Sequence, residues 1–412
     1  MTAAPMSGDG VDRLPPKYAP MAVPIAAKHV LWCIFFVVIS GALIAHTPRA
    51  WIQIAWLLGD LAAVGLFLRY QSQFINIVLS NGVFVSWPLL ACASAAWSVS
   101  PELSLTHGLQ LLMTMLIAFL LCIQFRLEQF VVVLFWALLI AAIATLASEV
   151  LMPYANLEAE WRGGFPHKNL MGDTMTLLVL TASCLFLQGR WRVITLMSIA
   201  LALFLLFMSR SATATVSLFI CLAPLPFAYT RLRGAGTFMC VLGGTLVITA
   251  LAMVGCYIAI AYFGVDPIDL VLDLVGKDRT LTGRTLLWDM AELAIDSKPW
   301  LGFGFKGYWA DRPAEMLQLL SAFGLQQVPY FHNNYLEVAV AFGVIGPVLL
   351  VLGIFIALWR TARRAISATQ VIDVWPLLIV IATIIKTFVE NPLFWNHGLW
   401  QVLFIVAAVI RR

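Results

Sequence analysis

Charge is scarce in this chain. Of its 412 residues only 11% are Asp, Glu, Lys or Arg, against 62% hydrophobic, whereas a soluble domain carries about 25% charged residues. That balance excludes an ordinary water-soluble domain, and a mean hydropathy of +0.93 points to a polytopic membrane protein. Cysteine motifs are missing as well. Cys33, Cys92, Cys122, Cys184, Cys221, Cys240 and Cys256 all fall within apolar runs, with no C-x-x-C and no metal-ligand spacing, so they read as small core hydrophobes. There is no H-E-x-x-H, no Walker loop and no D-x-D pair. Neither metal nor ATP is indicated, and no cofactor and no nucleic-acid partner is expected. No small-residue cleavage site follows the first apolar run, so the polar residues 1–28, with Arg13, Lys17 and Lys28, are expected to form a cytosolic tail before an uncleaved first helix.

Long apolar runs are what the chain has in abundance. A spanning helix needs roughly 20 apolar residues. Candidates lie near 29–46, 52–69, 75–97, 103–124, 129–152, 170–189, 192–208, 212–230, 238–263, 333–359, 372–391 and 395–410. The expected fold is all-α, with about twelve transmembrane helices. Short loops fix the orientation, because cytoplasmic ones carry the excess of Lys and Arg. With the N-terminus inside, the inner loops and tails hold fourteen basic residues; the outer short loops hold four, Arg49, Arg162, Lys168 and Arg210. Both termini are then cytosolic. Residues 29–263 carry helices 1–9, residues 264–332 form a large external loop, and 333–412 carry helices 10–12. Lys386 and Glu390, four apart within an expected span, are read as neutralising each other.

A polar segment as long as Gly264–Phe331 has little use in merely spanning a bilayer, and chemistry at the membrane surface would explain it. Within it, Thr282-Gly283-Arg284-Thr285 leads into a helical pattern over Leu286–Ile295 that Pro299 stops, and a second amphipathic piece is expected at Ala314–Phe323. Both are expected to lie along the bilayer surface. Gly302-Phe303-Gly304-Phe305-Lys306-Gly307 matches G-x-G-x-x-G literally, but no strand precedes it and no helix clearly follows, so a dinucleotide site is rejected.

Several outer-face groups could carry chemistry. Arg210, within Ser209-Arg210-Ser211-Ala212-Thr213, is either an arginine reaching lipid phosphates from a tight hairpin or an anion clamp. Arg284 adds a guanidinium to the positive end of a helix, a seat for phosphate. Two such forks on one site would suit a diphosphate. In His332-Asn333-Asn334-Tyr335, one asparagine caps the following helix and His332 sits idle, or His332 transfers a proton. Trp161–Asn169, with His167, Lys168 and Asn169, is a substrate lip or an interfacial turn. Lys306 lies in the same outer region.

Taken together, Arg210 in an outer hairpin, Gly283-Arg284, Pro299-Trp300-Leu301-Gly302-Phe303-Gly304, His332-Asn333-Asn334-Tyr335 and Phe342-Gly343-Val344-Ile345-Gly346-Pro347 resemble the O-antigen ligase and O-antigen polymerase superfamily. Ala96-Trp97-Ser98-Val99-Ser100-Pro101 and Trp161–Asn169 are similar to its exopolysaccharide-polymerase branch. The resemblance implies a metal-independent inverting glycosyltransferase in the bacterial inner membrane with a periplasmic site. Its donor would be an oligosaccharide on undecaprenyl diphosphate, and its acceptor another glycan (polymerase) or lipid A-core (ligase). It implies catalytic roles for His332, Arg284 and Arg210, with substrate contacts from Asn333, Asn334, His167, Lys168, Asn169 and Lys306. Membrane lipids surround it, and there is room for a chain-length regulator as partner. A secondary transporter is the rival from another class; it usually shows repeat symmetry and binds at mid-membrane, and no repeat is evident here.

Overall fold

The computed structural model describes residues 27–43, 49–151, 161–234, 284–310 and 330–411, with 236, 239 and 254 singly. Apart from those single residues, the expected span near 238–263 lies outside the described residues, as does the expected piece at Ala314–Phe323. Among the described residues all regular structure is helical. The helices are α1 (Ala27–Ile39), α2 (Arg49–Arg69), α3 (Gln71–Ser80), α4 (Gly82–Ala93), α5 (Pro101–Gln124), α6 (Leu127–Leu151), α7 (Lys168–Leu187), α8 (Arg192–Met208), α9 (Ala212–Leu222) and α10 (Pro224–Arg233). The remaining helices are α11 (Arg284–Ser297), α12 (Asn334–Phe342), α13 (Ile345–Ile366), α14 (Trp375–Thr387) and α15 (Leu399–Val409).

Six described segments of 20–25 residues are long and apolar enough to cross a bilayer: α2, α5, α6, α7, α9 with α10, and α13. The chain is therefore an all-α polytopic membrane protein, as expected. The centre of the bundle is α5, α6, α7, α14 and α15, since α5 packs on α4 and α15, α7 on α6, α8 and α9, and α14 on α15. α2 is peripheral: 17% of its apolar window is buried, against 78% for α7.

Two expected spans are broken. The run at 75–97 is α3 and α4, bent by 93° at Asn81. The run at 333–359 is α12 and α13, interrupted at Gly343, whose φ is 60°. Backbone crosses that break. Phe303 and Gly304 donate to Val340 and Ala341 carbonyls, and Val344 donates to Pro299, each at 2.9 Å. A Cβ on Gly302 would meet Val340 O at 2.4 Å, and one on Gly343 would meet the Trp300 carbonyl carbon at 2.3 Å. Only glycine permits such an approach at positive φ. The glycine pattern rejected above as a dinucleotide loop is thus a backbone clasp.

The other side of that clasp holds the turn before α5. Trp97 Nε1 donates to Leu301 O at 2.7 Å, the Phe305 amide donates to Ser94 Oγ at 2.9 Å, and Ser104 Oγ donates to Phe305 O at 2.7 Å. Two short motifs about 200 residues apart are therefore one interlocked piece.

The last two spans are shorter than expected, because residues 388–398 leave the helix and remain inside the bundle. Leu393 N donates to Asn334 Oδ1 at 2.9 Å, Phe394 N to Gln401 Oε1 at 2.8 Å, and His397 N to Thr114 Oγ1 at 2.9 Å. Irregular backbone at membrane depth survives only where protein groups or a polar cavity satisfy it. Here three buried side chains do so.

Candidate active site

α11 begins the site. Leu287, Ala291 and Ala294, at i, i+4 and i+7, give it one apolar face, and that face packs on Phe331 and Val340. Trp288 Nε1 donates to Phe331 O at 3.1 Å. This docking fixes the first residue of α11, Arg284, beside the segment that carries His332. Asn333 then starts α12: its Oδ1 accepts from Tyr335 N at 3.0 Å and Leu336 N at 3.3 Å, the usual role of an N-cap amide. Asn334 is fully buried and spends its Oδ1 on Leu393. Capping and a candidate histidine therefore coexist; the two alternatives open in the sequence are not exclusive.

Glu390 is the hub. Its Oε2 lies 3.2 Å from His332 Nδ1 and accepts from Tyr330 OH at 3.1 Å, while Oε1 lies 3.6 Å from Arg284 Nη2. The Tyr330 ring packs 4.3 Å from the imidazole. Glu390 thus sits between a guanidinium on one oxygen and an imidazole on the other. Burial, with the Glu390 carboxylate beside it, pushes the Tyr330 phenol up. The site thus presents a fixed anion gripping an arginine and a histidine. A guanidinium has five donors, and one long contact to Glu390 leaves others for a ligand.

The sequence reading missed Glu390 as a site residue, having paired it with Lys386. Instead Lys386 forms a buried ion pair with Asp173 of α7, and Glu390 turns toward Arg284 and His332. The missed signal is Asn391-Pro392. A proline disfavours helix at the residue before it, so the chain leaves α14 through a last turn in which Val389 N and Glu390 N both donate to Lys386 O, and the Glu390 side chain meets Arg284 and His332.

The N-terminus of α7 borders this hub. His167 caps α7, its Nδ1 accepting from Leu170 N at 3.2 Å. Burial pulls the His167 imidazole down and the nearby Glu390 carboxylate pulls it back, with Lys386 and His332 also felt. Asn169 Oδ1 accepts from Ser211 Oγ at 3.0 Å, tying the Ser209–Ser211 turn to the same helix end. Arg210 sits on that turn, exposed. Its side chain has no hydrogen bond or ion pair among the described residues. The structure therefore joins Arg284, His332 and Glu390 directly, and brings Arg210 to their neighbourhood only through Ser211, Asn169 and α7. Lys168 begins α7 beside His167.

Lys306 forms a second arm. Its Nζ lies 3.8 Å from Glu337 Oε1 and 3.9 Å from the centre of the Trp395 ring, and burial lowers its ammonium despite Glu337. Glu337 also accepts from Phe331 N at 3.1 Å and Trp309 Nε1 at 3.2 Å. Backbone strain concentrates here. Arg210, Lys306, His332, Phe394 and His397 all have positive φ, which costs a non-glycine residue about 1–3 kcal/mol and collects at functional sites.

Fold and site together define a multi-pass membrane protein with a guanidinium–imidazole–carboxylate site where several helix ends converge. Comparison with known proteins narrows the class. Residues 195–351 match the family model described as O-antigen ligase, a stretch that includes Arg210, Arg284, Lys306 and His332. The chain is also 29% identical over 367 residues to the exopolysaccharide production protein ExoQ of Rhizobium meliloti (strain 1021), covering 84% of this chain and 82% of that protein. These matches bear out the resemblance to the O-antigen ligase and polymerase superfamily and point to a membrane protein of polysaccharide assembly.

Proposed function

We propose that the protein transfers glycan from undecaprenyl diphosphate to a sugar hydroxyl at the periplasmic face of the inner membrane, polymerising repeat units of an exopolysaccharide or O-antigen. The observation that carries this reading is the binding of Arg284 and His332 to the two oxygens of one half-buried carboxylate, Glu390. With Nδ1–H donating to Glu390, the lone pair of His332 Nε2 is left to accept a proton, the arrangement in which a carboxylate orients a general base. The acceptor hydroxyl gives its proton to Nε2 as its oxygen bonds to the donor's anomeric carbon. The bond from that carbon to the diphosphate breaks, and the diphosphate leaves with the electron pair. Arg284, with Arg210 closing from the α8–α9 turn, meets the charge that develops there. A single displacement inverts the anomeric centre, and the guanidinium groups do at the leaving group what a metal would otherwise do.

Asn333 and Asn334 act in this scheme by holding His332 and the 388–398 segment in place, and His167, Lys168 and Asn169 line the donor side. The basic residues of the short loops support cytosolic termini and a periplasmic site. The family description also suits a ligase that passes the glycan to lipid A-core. Purified protein supplied with the lipid-linked oligosaccharide alone is expected to make a ladder of longer lipid-linked chains. Product only after lipid A-core is added would make it a ligase, and no product in either reaction would refute the transferase reading.

A further inference from the structure

A second polar cluster lies where α2, α5 and the 394–398 segment meet, and the scheme above does not use it. Asp60 is midway along α2, the peripheral helix of the bundle. His397 Nε2 lies 3.3 Å from Asp60 Oδ2, with its ring stacked 4.5 Å from that of Trp56. Asn396 Nδ2 donates to Gln110 Oε1 at 2.7 Å, and His107 Nδ1 lies 3.0 Å from the same oxygen. The cluster is only half used. Asp60 Oδ1 is buried without a hydrogen-bond partner. Asn396 Oδ1, Gln110 Nε2 and His107 Nε2 also have none among the described residues. The side chains of His397 and Asp60 stay 20% and 18% exposed. Groups of this kind inside a membrane protein face a partner or a hydrophilic cavity rather than lipid.

The cluster connects to the candidate active site through one residue. Trp395 takes Lys306 over its ring and meets the Tyr330 ring at 5.3 Å, and Tyr330 touches both Glu390 and His332. Trp395, Asn396 and His397 thus form a run from the proposed base to Asp60. A carboxylate, two amides and two imidazoles beside tryptophan offer neutral-hydroxyl chemistry: acceptors and donors for sugar OH groups, with indole for the apolar face of a ring. Phosphate would prefer the guanidinium side. We propose that Asp60, His107, Gln110, Asn396 and His397 form a saccharide subsite that holds the acceptor glycan, with its reacting hydroxyl delivered past Trp395 to His332. This rests on the transferase reading above.

Equilibrium binding to the full-length protein in detergent tests it, with two probes. One is the tritium-labelled neutral oligosaccharide freed by mild acid from the cells' own diphosphate-linked glycan; the other is inorganic pyrophosphate. Asn396→Ala is expected to weaken oligosaccharide binding about tenfold, the effect of losing one or two polar contacts, and to leave pyrophosphate binding unchanged. Arg284→Ala is expected to do the reverse. Gln110→Ala repeats the measurement should Asn396→Ala lose both ligands through misfolding. Wild-type affinity for the oligosaccharide in both cluster variants, or no oligosaccharide binding by the wild type, overturns the subsite. Oligosaccharide binding that follows this pattern without any glycan transfer from the diphosphate donor overturns the transferase reading alone.

Discussion

His332 and Glu390 are 58 residues apart in sequence, and their Nδ1 and Oε2 atoms are 3.2 Å apart in space. The pair is made possible by two interruptions of helix. One is the strained backbone before α12, where His332 has φ 51°, and the other is the unwinding of α14 ahead of Pro392. A histidine oriented by a carboxylate is a better base than one left free to rotate, because its tautomer is fixed before the substrate arrives.

Replacing Glu390 by Gln should therefore act on turnover more than on binding. The amide still fills the space but no longer stabilises a cationic imidazole. A fall in kcat of about 10–100-fold with a smaller change in donor KM is expected, read by the initial rate of glycan transfer. Unchanged kcat would remove Glu390 from the mechanism.

Arg210 separates function from folding. It is exposed, and its side chain has no partner among the described residues, so Arg210→Ala should change stability by less than about 0.5 kcal/mol. If Arg210 closes on the diphosphate, transfer should nevertheless fall about 100-fold or more. Full activity in this variant, measured at saturating acceptor, would leave it a lipid-facing arginine.

The buried Lys386–Asp173 pair makes the opposite forecast. Removing one partner strands a charge inside the bundle, at a cost of about 3–5 kcal/mol. Lys386→Met should lower the melting temperature sharply, and the double variant Lys386→Met with Asp173→Leu should recover part of the loss. Additive losses in the double variant would mean the two residues act separately.

Much of this architecture was legible in the sequence. Apolar runs the length of a bilayer mark the helices because lipid leaves the backbone no other partner, and Arg284 at the head of an amphipathic helix declared itself through the pattern Leu287, Ala291, Ala294. The order of motifs pointed to the same superfamily as the family-model match over residues 195–351. The breaks were not legible. Gly343 looks like an ordinary glycine in an apolar run until the Pro299–Gly304 backbone is seen crossing it. Glu390 was misassigned because i, i+4 spacing to Lys386 is the stronger local signal; Asn391-Pro392 marks the helix end, but nothing local says that α7 brings Asp173 to Lys386. Long-range contacts of that kind leave no trace in local spacing.

Transfer of labelled glycan from undecaprenyl diphosphate by purified, monodisperse His332→Ala protein is the most direct measurement. If His332 accepts the proton of the attacking hydroxyl, the rate should drop by about 10²–10⁴-fold while pyrophosphate binding at Arg284 stays as in the wild type. A His332→Ala protein that turns over at the wild-type rate would contradict the central claim, whatever the positions of the two arginines.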